Sequence, residues 1–145
     1  MRPMGNSLFN LVEREFFAYS YNVSKLASLV DQRSCLSVIR SPSELHERVD
    51  TGGGYSDPVG FWLERQEFLD EMIARYRLRV NPITHMLAFL NKTKPEMERL
   101  FELYYVRRNQ WGFIESEMAL SPSSRKRMRS DLVWYGARFL GFCDG

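Results

Sequence analysis

Arg125, Lys126, Arg127 and Arg129 fall within five positions of one another with no acidic residue among them, directly after Ser121-Pro122-Ser123-Ser124. Cations and hydroxyls in that pattern suit a nucleic acid. A guanidinium can pair with O6 and N7 of guanine, and a serine can donate to a base edge or a phosphate. Ser123, Ser124, Lys126 and Arg127 are therefore the candidates for bases or phosphates. Arg125 and Arg129 are candidates for phosphate alone, a contact that positions a protein without reading sequence. Arg107 and Arg108 add two further cations, although the negative end of a helix would attract them equally well. A charge run is also what an ordinary solvated helix face carries. The elements that would hold these residues must decide between the two readings.

Ser121 is a good N-cap, since its hydroxyl can accept an unsatisfied backbone N–H of the first turn. Pro122 then takes the first helical position, where its missing N–H is harmless. Met128, Leu132, Tyr135 and Phe139 follow at spacings of four, three and four, which predicts a helix with one apolar face. Upstream, Pro95 opens a helical pattern carrying Met97, Leu100, Phe101, Tyr104 and Tyr105, ending near Arg107-Arg108. Asn109 is suited to cap a short helix, Gln110–Met118, with Trp111, Ile114 and Met118 inward. That phase makes Trp111 a core residue rather than a base-stacking one. A tight turn at Ala119-Leu120 leads into the basic helix. Support helix, short helix, turn and basic helix make the helix-turn-helix plan, in which the last helix enters the major groove.

The rest of the chain also reads as helical. Leu8, Leu11, Val12, Phe16, Tyr19, Val23, Leu26 and Val30 predict a helix from about Ser7 to Arg33. Phe9, Phe17 and Tyr21 lie off that stripe and serve either a partner subunit or the same chain. Ser41-Pro42-Ser43 resembles the start of a short helix. Thr51 to Pro58 contains three consecutive glycines, but no Gly-Lys-Ser/Thr follows them, so the segment reads as a linker and not a phosphate loop. Asp57 caps and Pro58 opens a central helix with Phe61, Leu69, Met72, Ile73, Tyr76 and Val80 on its apolar side. Glu67, Asp70 and Glu71 alternate there with arginines, a solvated face and not a catalytic carboxylate cluster. Asn81-Pro82 is expected to kink or break that helix. Ile83, Met86, Leu87 and Leu90 continue inward beyond it. No strand pattern appears, so the fold class is all-α: residues 1–57 an N-terminal helix and glycine-rich segment, 58–91 central helices, 92–145 the helix-turn-helix unit.

Length and composition set the bounds. With 145 residues, 44% hydrophobic and 14% aromatic, the chain can bury a core. Its net charge of +2 is close to neutral, but the charge is uneven. Residues 1–91 hold ten basic and eleven acidic residues, residues 92–145 ten and seven. Cys35 and Cys143 form no metal or redox motif and read as free thiols in a reducing cytoplasm. His46 and His85 are isolated, so no metal or cofactor is expected. No run is apolar enough to span a membrane, and the N-terminus does not lead into a signal peptide. The expected location is the cytoplasm of a bacterial host, close to its nucleoid. No nucleophile–base pairing or phosphate loop suggests an enzyme.

Three stretches together resemble the phage transcriptional regulators of the RinA/ArpU type, whose C-terminal half is similar to the helix-turn-helix of sigma factor region 4. Arg48 to Asp57 looks like the polar, glycine-rich segment between that family's first and central helices. Leu103-Tyr104-Tyr105 with Trp111-Gly112-Phe113-Ile114 looks like its tyrosine-ended support helix and the tryptophan that begins its short helix. Leu120-Ser121 through Arg127 to Leu132 looks like its serine-capped basic helix. The resemblance spans residues 44–141 and departs at Glu115-Ser116, where such motifs carry a small residue, and at Gly112, which weakens a short helix. It implies double-stranded DNA binding and activation of phage late or packaging genes, with host RNA polymerase as a partner.

The expectation is a sequence-specific regulator that binds DNA as a homo-oligomer, a dimer above all, with the first helix as its interface. Two alternatives stand beside it. One is a small terminase-like subunit that recognises a packaging site and assembles as a ring. The other is a helical adaptor for polymerase or another regulator with no DNA affinity of its own, which the aromatic surplus of the first helix and Trp134 would serve.

Overall fold

The computed structural model describes residues 4–38 and 58–142. Every element among them is helical. In chain order they are α1 (Asn6–Val38), α2 (Pro58–Thr93), α3 (Pro95–Phe101), a π-helical turn (Glu102–Val106), α4 (Trp111–Met118) and α5 (Pro122–Phe139). The all-α expectation holds for these residues. Among them no helix is long and apolar enough to cross a membrane, and no three His, Cys, Asp or Glu side chains gather as metal ligands. The Ser41-Pro42-Ser43 helix start, His46, the glycine-rich stretch up to Asp57 with its cap, and Cys143 lie outside the described residues.

The chain forms two compact units, Met1–Asn22 with Leu78–Gly145, and Val23–Arg77. These cut across the segments 1–57, 58–91 and 92–145 expected from the sequence. The physical reason is length: α1 has 33 residues and α2 has 36, so each helix contributes one end to each unit.

The core of the first unit is built around Phe16. Its ring meets Phe101 and Tyr105 edge-on, with centroids 5.1 and 4.9 Å away. Val12, Ile83, Met86, Leu90, Ile114 and Leu132 are fully buried around it. Each such aliphatic side chain is worth roughly 1.5–3 kcal/mol when removed from water. α5 meets α1 at Gly136, where an added Cβ would stand 2.6 Å from Phe16 Cε1 and 2.8 Å from Val12 Cγ1. Only a glycine permits that approach. Besides the expected Leu132, α5 buries Val133, Gly136 and Ala137, a wider inner face than the four-residue stripe predicts.

Three expectations change. Pro82 does not break α2, which runs unbroken from Pro58 to Thr93. A mid-helix proline costs about 3 kcal/mol, and the buried Val80, Ile83, Met86 and Leu90 on either side of it offset that cost. α1 continues past Arg33 to Val38, while Leu11 and Val23, expected inward, are each 39% exposed. Of the two readings for the off-stripe aromatics, Phe9 and Phe17 take the same-chain one. Phe17 packs edge-on to Tyr104 and Tyr105, and Phe9 lies under the Arg129 guanidinium. Tyr21 stays exposed.

In the second unit, Leu29 of α1 meets Leu69 and Ile73 of α2, with Leu26, Val30, Met72 and Tyr76 beside them. Trp62 Nε1 donates to the Leu36 carbonyl at 3.0 Å. Asp70 pairs with Arg33 at 2.7 Å, and Glu71 with Arg75 one turn away. Phe61, expected on the apolar side, points into solvent.

Candidate nucleic-acid interface

The basic helix forms where the sequence places it. Ser121 is extended and its Oγ accepts the Ser124 backbone N–H at 3.2 Å, with Pro122 in the first turn. Ser121 Oγ in turn donates to Ser124 Oγ at 3.0 Å. α4 closes with Ala119 in the left-handed region, φ 52°, and Leu120 N–H donates to the Glu115 carbonyl at 2.9 Å. That bond satisfies a carbonyl the helix end would otherwise leave open. The turn at Ala119-Leu120 is therefore a tight αL cap leading directly into the Ser121 cap.

The support helix ends as expected, with Arg107 as its last capping residue, but its final turn is π-helical. Arg107 N–H reaches back five residues to the Glu102 carbonyl, and Asn109 N–H donates to the Leu103 carbonyl. This replaces the expected Asn109 cap. Gln110 precedes α4 without a side-chain cap, because Arg108 must turn the chain at φ 57° and Asn109 is used to close the turn behind it. α4 accordingly begins at Trp111.

The four candidate cations of α5 separate into two kinds. Arg125 donates Nε to Glu115 Oε1 at 3.1 Å and sits 4.4 Å from the Trp111 ring centroid, with its side chain only 11% exposed. Arg129 donates two hydrogen bonds to the Glu13 carboxylate, at 2.9 and 2.7 Å. Its guanidinium also lies within 6 Å of the Phe9, Tyr104 and Trp111 rings. Trp111 in turn stacks on Tyr104 at 3.7 Å. The hydrogen bonds to Glu13 hold the Arg129 guanidinium above its usual value, against the effect of burial. Charge-assisted bidentate pairs over aromatic faces are fastenings. Both arginines face inward, away from the exposed phosphate role assigned to them from the sequence.

Lys126 and Arg127 are the other kind. They are exposed, with no ionic partner among the described residues, and Ser123 is exposed beside them. Ser124 is also exposed, but its hydroxyl is engaged in the cap. Arg107 is 65% exposed and holds Glu102 at 3.4 Å, a bridge weak enough to exchange for another anion. Arg108 donates to the Phe17 carbonyl at 3.3 Å and lies 5.3 Å from the Phe17 ring centroid, so it too is committed to its own chain.

Glu13 is the residue that sequence reasoning does not reach. It is 8% exposed on α1 and also accepts the Tyr105 hydroxyl at 2.6 Å. Burial, and then that hydrogen bond, push the Tyr105 hydroxyl well above the ordinary tyrosine value. Its place one helical turn from both Phe9 and Phe17 is the available signal, and it does not name its partners. Trp134 carries Arg138 4.8 Å from its ring centroid, on the far end of α5 from the exposed cations. Compared with family models, curated proteins and solved structures, the chain finds no match.

Proposed function

We propose that this chain is a sequence-specific double-stranded DNA-binding regulator of transcription that places the N-terminal turns of α5 in the major groove. The observation that best supports the reading is the division among the cations of α5. Arg125 and Arg129 fix the helix to α4 and α1, while Ser123, Lys126 and Arg127 stand exposed on its first two turns. Bidentate base recognition needs a donor held in place, and a helix anchored through two arginines supplies that rigidity. Arg127 is assigned to a guanine edge, and Lys126 and Ser123 to base or phosphate. Arg107 meets the flanking phosphates. Arg125 and Arg129 become positioning residues. The resemblance to the RinA/ArpU regulators supports a phage setting, late or packaging genes as targets, and host RNA polymerase as a partner.

The test is fluorescence anisotropy of the full chain on tiled duplexes from its own genomic neighbourhood, against random duplex, at two salt concentrations. One fragment bound far above random, with affinity falling as salt rises, supports the reading. Arg127→Ala should then cost about 1–3 kcal/mol on that fragment and relax preference at one base pair. Equal weak binding to every duplex, or none, overturns it.

A further inference from the structure

The outward line of α5 continues past the residues already assigned. Leu132, Val133, Gly136 and Ala137 fix the buried side of the helix, and Arg127 points away from it. Arg138 follows Arg127 by eleven residues. That is three turns on and only about 20° around the axis, so Arg138 projects along the same line about 16 Å farther. Trp134 falls between them, about 20° to the other side of the line. The Arg138 guanidinium rests 4.8 Å from the Trp134 ring centroid, and the Tyr135 ring braces the indole edge-on at 5.1 Å. The side chain is exposed and yet held in place by its own helix.

Charge identifies what this arginine meets. Arg138 has no ionic partner among the described residues, and no acidic residue occurs between Leu132 and Phe142. Asp131 is the one acidic residue of α5. It lies near enough to Lys94 to help hold that ammonium above its usual value, after the larger effect of Tyr135. What faces outward at this end of the helix is therefore one unmatched guanidinium, already ordered, and a phosphate oxygen is the anion it suits. The major groove is about 12 Å wide and curves around the duplex. A straight helix with Arg127 over base edges has left the groove floor by the level of Arg138, and the far end of a reading helix then faces the backbone. We infer, resting on the DNA-binding reading, that Arg138 is a further DNA-contacting residue of α5 and binds a backbone phosphate. Trp134 is its positioning residue.

Fluorescence anisotropy of the full chain on the preferred fragment and on random duplex, over a series of salt concentrations, tests it. Arg138→Gln should lower affinity roughly three- to tenfold, by the same factor on both duplexes, and reduce the slope of log affinity against log salt by about one. Arg138→Lys should keep the slope, since the charge remains. Trp134→Leu should keep it too while losing part of the affinity, because a freed guanidinium must then be ordered on binding. An arginine in the last turn also suits the negative end of the helix dipole. If that is its whole role, Arg138→Gln lowers the Tm and leaves affinity and slope unchanged, which overturns the inference. A loss confined to the preferred fragment also overturns it, by assigning Arg138 to a base. Failure of the DNA-binding reading has a different signature. A wild-type chain with no preferred fragment overturns sequence-specific regulation, and a uniform loss with Arg138→Gln on random duplex still upholds the phosphate contact. A wild-type chain that binds no duplex overturns both.

Discussion

Glu13 and Arg129 stand 116 residues apart in sequence and meet through two hydrogen bonds, Nε to Oε2 at 2.9 Å and Nη2 to Oε1 at 2.7 Å. The Tyr105 hydroxyl completes the carboxylate's shell at 2.6 Å. One carboxylate thus ties together the first helix, the π-turn and the basic helix. Arg129→Ala leaves Glu13 as an unpaired and nearly buried anion, and should cost about 2–4 kcal/mol, toward the lower side of the buried range because Arg129 keeps some exposure. Urea denaturation measures it. Adding Glu13→Gln should recover part of the loss, because the orphaned charge goes with it. Equal stability of Arg129→Ala and wild type would remove the positioning role.

Tyr105 gives a pH dependence whose direction follows from burial. Its folded-state value lies above the ordinary tyrosine value of about 10. A group raised in this way stabilises the fold fully below its unfolded value, and that contribution is lost as pH rises beyond it. Unfolding free energy should therefore fall once pH exceeds about 10, the unfolded chain releasing a proton that the folded chain keeps. Tyr105→Phe should flatten that alkaline limb while lowering stability at neutral pH by about 1 kcal/mol, through the lost bond to Glu13. Denaturant titrations at a series of alkaline pH values check both effects.

Gly136 marks the closest approach of α5 to α1. A methyl group there has nowhere to go, because the Phe16 ring it would strike is already held by Phe101 and Tyr105. Gly136→Ala should cost about 2–3 kcal/mol, although alanine is the better helix former. Phe16→Leu in that background should return part of it. Thermal unfolding of the single and double variants measures the coupling.

Ala119 is the opposite case. At φ 52° it occupies the left-handed region, which costs a non-glycine residue about 1–2 kcal/mol. Ala119→Gly relieves that strain and gives back about 0.4–1 kcal/mol through the freer unfolded chain. The net expectation is a gain of roughly 0.5 kcal/mol, read as a rise of a few degrees in Tm. A loss would mean that the turn is held by something other than its backbone.

What the sequence shows plainly is local. Ser121 and Pro122 mark the start of α5, Arg107 marks the end of the support helix, and the 3–4 spacings define every helix. What it hides depends on contacts made across long stretches of chain. Pro82 reads as a break because its penalty is local, while the four buried residues that overcome it act through tertiary packing. Arg125 and Arg127 both read from the sequence as contacts to DNA, one to phosphate and one to a base or phosphate. Only the fold reveals that one faces Glu115 and Trp111 and the other faces water.

The π-turn between α3 and α4 acts as a phase shifter. In an unbroken α-helix the inward face set by Met97, Leu100 and Phe101 would next call on Tyr104. One extra residue in the turn delays the rotation, so Tyr105 arrives at that face and reaches Glu13, while Tyr104 slides to the rim and meets Trp111. Straightening the turn to the ordinary α-helical pitch with its sequence unchanged would exchange the two tyrosines. The carboxylate would lose its hydroxyl, and the arginine cage its floor. A single inserted residue thus sets the angular register between the support helix and everything that follows it.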